Sequence, residues 1–212
     1  MYFSASSAQN TKLHCVGTAT SSNPEGPYNP SPNPITCPLG QGGAIDASGF
    51  KDRDGTMYMV YKVDGNSIGH GGTCNNMNAP IVPTPIMLQK LQADGITPVG
   101  GPTQILDRNT GDGPLVEAPS LVRSSQGTYF LFFSSNCWAS TSYDVTWATA
   151  SNINGPYTKR GPLYVTGKNG LQSPGGMDID ADGQHMLFHA GPSNARQLYT
   201  AKISLDGTNV HG

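Results

Sequence analysis

Two carboxylates carry the chemistry that is most legible in this chain. Glu117 follows the loop Gly111-Asp112-Gly113-Pro114 and heads the stretch Val116-Glu117-Ala118-Pro119-Ser120-Leu121-Val122-Arg123. Asp46 holds nearly the same place in Gly43-Ala44-Ile45-Asp46-Ala47-Ser48-Gly49-Phe50. A lone acid at a strand start usually faces water. Two at matching places of a repeated unit can instead converge. Cleaving an acetal needs a proton for the departing oxygen and an activated water, which paired carboxylates supply. The donor must keep its proton near neutral pH, and a neighbouring like charge enforces that. Asp46 and Glu117 are the candidate pair, one ionised and holding the other's pKa up.

The elements that must position them repeat. Aromatic and branched runs read as strands at Met1–Ser6, Met57–Lys62, Tyr129–Ser134 and His185–Ala190. Three of them follow turns ending in Gly55, Gly127 and Gly183. Third strands are expected at Leu13–Ala19, Ile86–Leu91, Tyr143–Ala148 and Gln197–Ile203. The segment 19–28 (ATSSNPEGPY) matches 148–157 (ATASNINGPY) at seven of ten positions, which unrelated loops do not reach by chance. Short strands in recurring groups of about four predict an all-β chain, a β-propeller. A two-sheet sandwich would need no such self-similarity. Units are expected at 1–37 (partial), 43–107, 116–166 and 172–212 of one domain, giving about three and a half to four blades. The first unit begins at its second strand, so N-terminal truncation is the expectation.

Composition narrows the partners. Charged residues make up only 12% and the net charge is −2, with no basic patch, which argues against nucleic acid and anionic membranes. No apolar run is long enough for a membrane helix. A monomer binding a polysaccharide or oligosaccharide is expected. Low charge with abundant Ser, Thr, Asn and Gly fits an extracellular protein, and this chain shows no signal peptide. Cys15, Cys37, Cys74 and Cys137 allow three pairings; Cys15, within an apolar strand, could equally be a buried thiol.

Other polar residues are weaker candidates. Asp52, Asp54, Asp107 and Asp112 read as turn residues bonding their own backbone. His70 and Cys74 have no further ligands grouped with them, so the insertion 64–85 reads as a loop lining a binding face rather than a metal site. No metal site and no required cofactor are expected. Trp138, in the polar loop Asn136–Ser140, either stacks on a sugar or covers a blade edge. His189 reads as a buried, hydrogen-bonded histidine. Arg196 either clamps a hydroxyl or carboxylate or is a surface arginine.

Ile45-Asp46-Ala47-Ser48-Gly49-Phe50 with Asp54-Gly55-Thr56-Met57-Tyr58-Met59-Val60-Tyr61 resembles the I-D-P-S-x-F…D-G-x-Y-Y-L-V-Y stretch of glycoside hydrolase family 43, Ala47 replacing Pro. Glu117-Ala118-Pro119-Ser120 with Gly127-Thr128-Tyr129-Phe130-Leu131-Phe132-Phe133-Ser134 is similar to that family's E-G-P…G-x-Y-Y-L-F-Y-S. The resemblance implies a five-bladed β-propeller acting on arabinans, xylans and related side chains with inversion. It implies Glu117 as general acid, Asp46 as the residue tuning its pKa, and Arg196 as the arginine reaching the sugar. The family's general base, an Asp on the first blade, has no counterpart here. Pro174-Gly175-Gly176 stands where some members carry a His near a central metal, so a channel calcium is unsupported. The alternatives are a non-catalytic carbohydrate-binding propeller or inactive fragment, and a retaining fructan-type propeller glycosidase, which would need closer carboxylates.

Overall fold

The computed structural model describes residues 1–192 and 194–212. The first sheet joins β1 (Tyr2–Ser6), β2 (His14–Thr20) and β3 (Asn29–Pro30). The second joins β4 (Ala44–Lys51), β5 (Met57–Val63), β6 (Ile86–Leu91) and β7 (Thr103–Leu106). The third joins β8 (Val116–Arg123), β9 (Tyr129–Ser135), β10 (Thr146–Ala150) and β11 (Thr158–Lys159). The fourth joins β12 (Gly175–Ile179), β13 (His185–Ala190) and β14 (Gln197–Lys202), and a hairpin of β15 (Ser204–Asp206) and β16 (Asn209–His211) follows. Each is an antiparallel meander, and β4, β8 and β12 lie side by side as inner strands of a β-propeller.

Stacking face to face explains why the central strands do not alternate apolar and polar residues. Along β9, Tyr129, Leu131 and Phe133 pack towards the second sheet, while Phe130 and Phe132 pack towards the fourth. Both faces are covered, so all seven residues of β9 are buried. β5 behaves alike: Val60 faces the third sheet, and Met59, Tyr61 and Val63 face the first. The fourth sheet keeps an open face, which leaves Leu187 on β13 and Leu198 on β14 exposed.

The matched segments at 19–28 and 148–157 take the same structural place. Ala19 pairs with Pro30 and Thr20 with Asn29, as Ala148 pairs with Lys159 and Thr149 with Thr158. β1–β2–β3 therefore corresponds to β9–β10–β11, the second to fourth strands of a unit. Between inner and second strands the turns share one bonding pattern: the Gly55 and Gly127 N–H groups donate to the carbonyls of Asp52 and Ser124. Both glycines sit at strongly positive φ (+87° and +92°), where a side chain would be strained.

Two local expectations change. The third strand of the third unit runs Thr146–Ala150 rather than Tyr143–Ala148, which leaves Tyr143 and Asp144 in the loop before it. Asp144 accepts from the Ser135 N–H and hydroxyl, and those bonds replace a strand ladder. Asp52 also does more than close its own turn. Buried, it accepts from Arg123 Nη1 (3.0 Å) and the Tyr129 hydroxyl (2.6 Å), joining the second sheet to the third.

The cysteines pair as Cys15–Cys37 and Cys74–Cys137. Cys15 is thus bonded rather than a free thiol. The second bridge ties the 64–85 insertion to the loop carrying Trp138. Buried Asn76 fixes the same insertion by donating to the carbonyls of Val82 and Pro114.

Candidate active site

Each inner strand bulges at one residue near its start. The register with the second strand slips after Ile45, after Glu117 and after Gly175. The residue that follows adopts positive φ in every case: Asp46 (58°), Ala118 (50°) and Gly176 (58°). A bulge re-aims side chains and recurs beside active sites. Asp46 and Glu117 are therefore not in equivalent slots, as their sequence context suggested. Asp46 is the bulge residue of its strand, whereas Glu117 precedes the bulge of its own. The one-residue offset still directs both into one cavity.

Two of the three bulges are fixed by a second-strand residue of the preceding unit. Ser4, Lys62, Ser134 and His189 occupy the same slot in successive units. Ser4 Oγ accepts from the Asp46 N–H at 3.3 Å, and Ser134 Oγ accepts from the Gly176 N–H at 2.9 Å. Lys62 has no lone pair to offer. The Ala118 N–H instead donates to Asp46 Oδ2 at 3.0 Å. That bond locks the Asp46 carboxylate against the residue following Glu117.

Glu117 is buried and held at both oxygens. The Tyr143 hydroxyl donates to Oε1 at 2.7 Å, and Lys62 Nζ stands 3.3 Å from Oε2. Lys62, wholly buried, also lies 2.9 Å from Asp64 Oδ1, and Asp64 accepts from the Ser67 hydroxyl. Burial disfavours a charged Lys62, but Glu117, Asp64 and Asp46 outweigh it and raise its pKa. Asp46 is pushed up to about 6, by burial first and the negative Glu117 second, against the pull of Lys62. Tyr143 rises well above its ordinary value because it is buried beside Glu117, and so remains a donor.

A cavity of about 340 Å³ opens over this pair, lined by Asp46, Glu117, Trp138, Tyr143, His189 and Arg196 among others. Arg196 is exposed at the rim, its guanidinium 4.9 Å from the centre of the Trp138 ring, and its Nη2 donates to the Trp138 carbonyl. Trp138 keeps 45% of its surface exposed there. All four residues singled out in the sequence thus meet at one cavity. His189 stacks on Tyr143 (5.9 Å between centres), and its Nδ1 is buried without a hydrogen-bond partner. Burial, then Arg196, lowers its pKa.

The channel stretch offers little to a cation. Gly175 and Gly176 bring no side-chain ligand, and the Tyr143 and His189 rings fill the space where their side chains would stand. Cys74, being disulfide-bonded, has no thiolate to give. Asp180, Asp182 and His185 cluster at the far turn of the fourth sheet, but all three are exposed.

Sequence reasoning missed Lys62, Asp64 and Tyr143. For Lys62 a signal existed: one lysine closing the apolar run Met57-Tyr58-Met59-Val60-Tyr61, a residue type rarely buried unless paired. Tyr143 gave none, since its place depends on the path of a loop.

A propeller whose inner-strand bulges gather two carboxylates into one open cavity has the architecture of a propeller glycosidase. The chain matches the family described as Glycosyl hydrolases family 43 over residues 1–209 and belongs to it. Among solved structures it is similar to a thermostable family-43 glycoside hydrolase, at 22% identity and a TM-score of 0.80, covering 99% of this chain and 69% of that one. It is also similar to an endo-1,4-beta-xylanase from Bacteroides thetaiotaomicron, at 25% identity and a TM-score of 0.72, with coverage of 99% and 69%. An endo-arabinase from the same organism is 18% identical with a TM-score of 0.71, over 92% of this chain and 68% of that one. No curated protein matched the chain.

Proposed function

We propose that this glycoside hydrolase acts on arabinose- or xylose-containing plant polysaccharides or oligosaccharides, as an extracellular, inverting enzyme in which Glu117 protonates the departing oxygen. The observation that carries this reading is the Asp46–Glu117 pair, two carboxylates lining one cavity, where burial and then Glu117 push the Asp46 carboxyl up to about 6. Carboxylates so closely coupled titrate as a unit, so the bound proton belongs to the pair. Asp46 tunes that proton, and Tyr143 and Lys62 hold Glu117 in place. Arg196 and Trp138 form a rim suited to a sugar, one side giving hydrogen bonds and the other a flat aromatic face. Two disulfides fit an oxidising compartment.

General acid help is worth roughly 10²–10⁴ in rate. Glu117→Ala is therefore expected to cost that much on unactivated arabino- or xylo-oligosaccharides, and far less on aryl glycosides whose leaving group departs unprotonated. Equal losses on both would remove Glu117 from the role.

A second reading has its own support. Among the described residues lining the cavity, Asp46 and Glu117 are the only carboxylates, whereas inversion also needs a base to activate water. A carbohydrate-binding propeller needs no such base. Calorimetric binding of the same oligosaccharides by this chain, with no reducing sugar released, would favour it.

A further inference from the structure

We propose that Lys62 is a positioning residue: from beneath the cavity it holds Glu117 and fixes the pH at which the Asp46–Glu117 pair gives up its proton. The inference rests on the reading of Glu117 as proton donor. It begins from the repeat. In the slot of Lys62 the first and third units carry Ser4 and Ser134, each accepting the N–H of the next bulge. The fold is satisfied by a serine there. Lysine cannot accept, and its presence obliges Asp46 to take the Ala118 N–H. One residue type thus sets both halves of the site: it puts a cation on Glu117 and turns Asp46 towards Ala118.

A wholly buried ammonium is costly unless paired. Asp64, 2.9 Å away, already neutralises Lys62, and the Ser67 hydroxyl satisfies the other Asp64 oxygen. Asp64 thus supplies one counter-charge, and the ammonium's hydrogen bond goes to Glu117 Oε2 at 3.3 Å. The charged and titratable groups around Lys62 and the pair are Asp46 on β4, Asp64 after β5, Glu117 on β8, Tyr143 before β10, His189 on β13 and Arg196 before β14. Three carboxylates face one buried ammonium, an excess of negative charge that favours binding one proton. A positive charge favours ionised carboxylates, so Lys62 draws proton loss to lower pH, and removing it must move that loss upward.

Lys62→Met alone strands the buried charge of Asp64, so the test uses Lys62→Met/Asp64→Asn, which removes one charge of each sign. Lys62 stands nearer the pair than Asp64 does, and its loss dominates. Side-chain carboxyl titration by ¹³C NMR on the whole chain is expected to show the pair's midpoint rising by about one pH unit, the low end for loss of a neighbouring opposite charge because loss of Asp64 offsets part of it. The alkaline limb of kcat/KM should rise with it, while Lys62→Arg, which keeps the cation, should stay near the parent. A folded double variant with an unmoved midpoint overturns the proposal. A midpoint that rises while the pH profile of hydrolysis stays put supports the electrostatic assignment and refutes the donor reading instead.

Discussion

Asp46→Asn gives the sharpest single test of the paired-carboxylate site. The amide keeps an oxygen for the Ala118 N–H, so the 3.0 Å bond that positions residue 46 survives. Only the charge beside Glu117 is lost. Burial and Glu117 together push the Asp46 carboxyl from the ordinary 3.8 to about 6. That rise of about two pH units corresponds to about 3 kcal/mol. Burial is the larger cause and the negative Glu117 the second, against the pull of Lys62 and the Ala118 N–H. Interaction between two titrating groups is mutual. Removing one negative charge from the pair should therefore lower the pH at which the pair loses its proton. The alkaline limb of kcat/KM on unactivated oligosaccharides is expected to move down by about one unit, with roughly tenfold lower rates above it. Aryl glycosides provide the control, and a melting curve shows that the variant is folded. A limb that stays where it was, or moves upward, refutes the reasoning, because the two carboxylates would then not be coupled.

Two further predictions concern the frame and the rim. Asp52→Ala removes a buried acceptor shared by Arg123 and Tyr129 and is expected to destabilise the chain by about 2–4 kcal/mol in denaturant unfolding. Bonds from Tyr129, Arg53 and Arg123 hold the Asp52 carboxyl below its ordinary 3.8 despite burial. Its contribution is thus complete above that value and fades as pH falls through the depressed one, so parent and variant should converge in acid. Trp138→Ala removes the exposed ring over which Arg196 lies and is expected to raise KM about tenfold, the equivalent of about 1.4 kcal/mol, with kcat changed much less. A matching fall in kcat with KM unchanged would place Trp138 in the chemistry rather than in binding.

What the chain spells out is the repeat. Turn glycines, aromatic second strands and the matched loops at 19–28 and 148–157 are local features, set by steric limits and β propensity, and they identify a propeller without coordinates. Asp46 and Glu117 were legible because their neighbours repeat too. The disulfide partners, the true start of β10 and the course of the Tyr143 loop were not, because each depends on contacts beyond its own strand or turn. Tertiary structure also decided the roles of individual slots. Only register shows that Asp46 is a bulge residue and Glu117 is not, since a one-residue offset redirects a side chain without altering the strand's composition. Lys62 reads as the end of an apolar run until folding brings Asp46 of its own sheet and Glu117 of the neighbouring one beside it and Asp64, and an ion's preferred protonation state follows from the charges it meets.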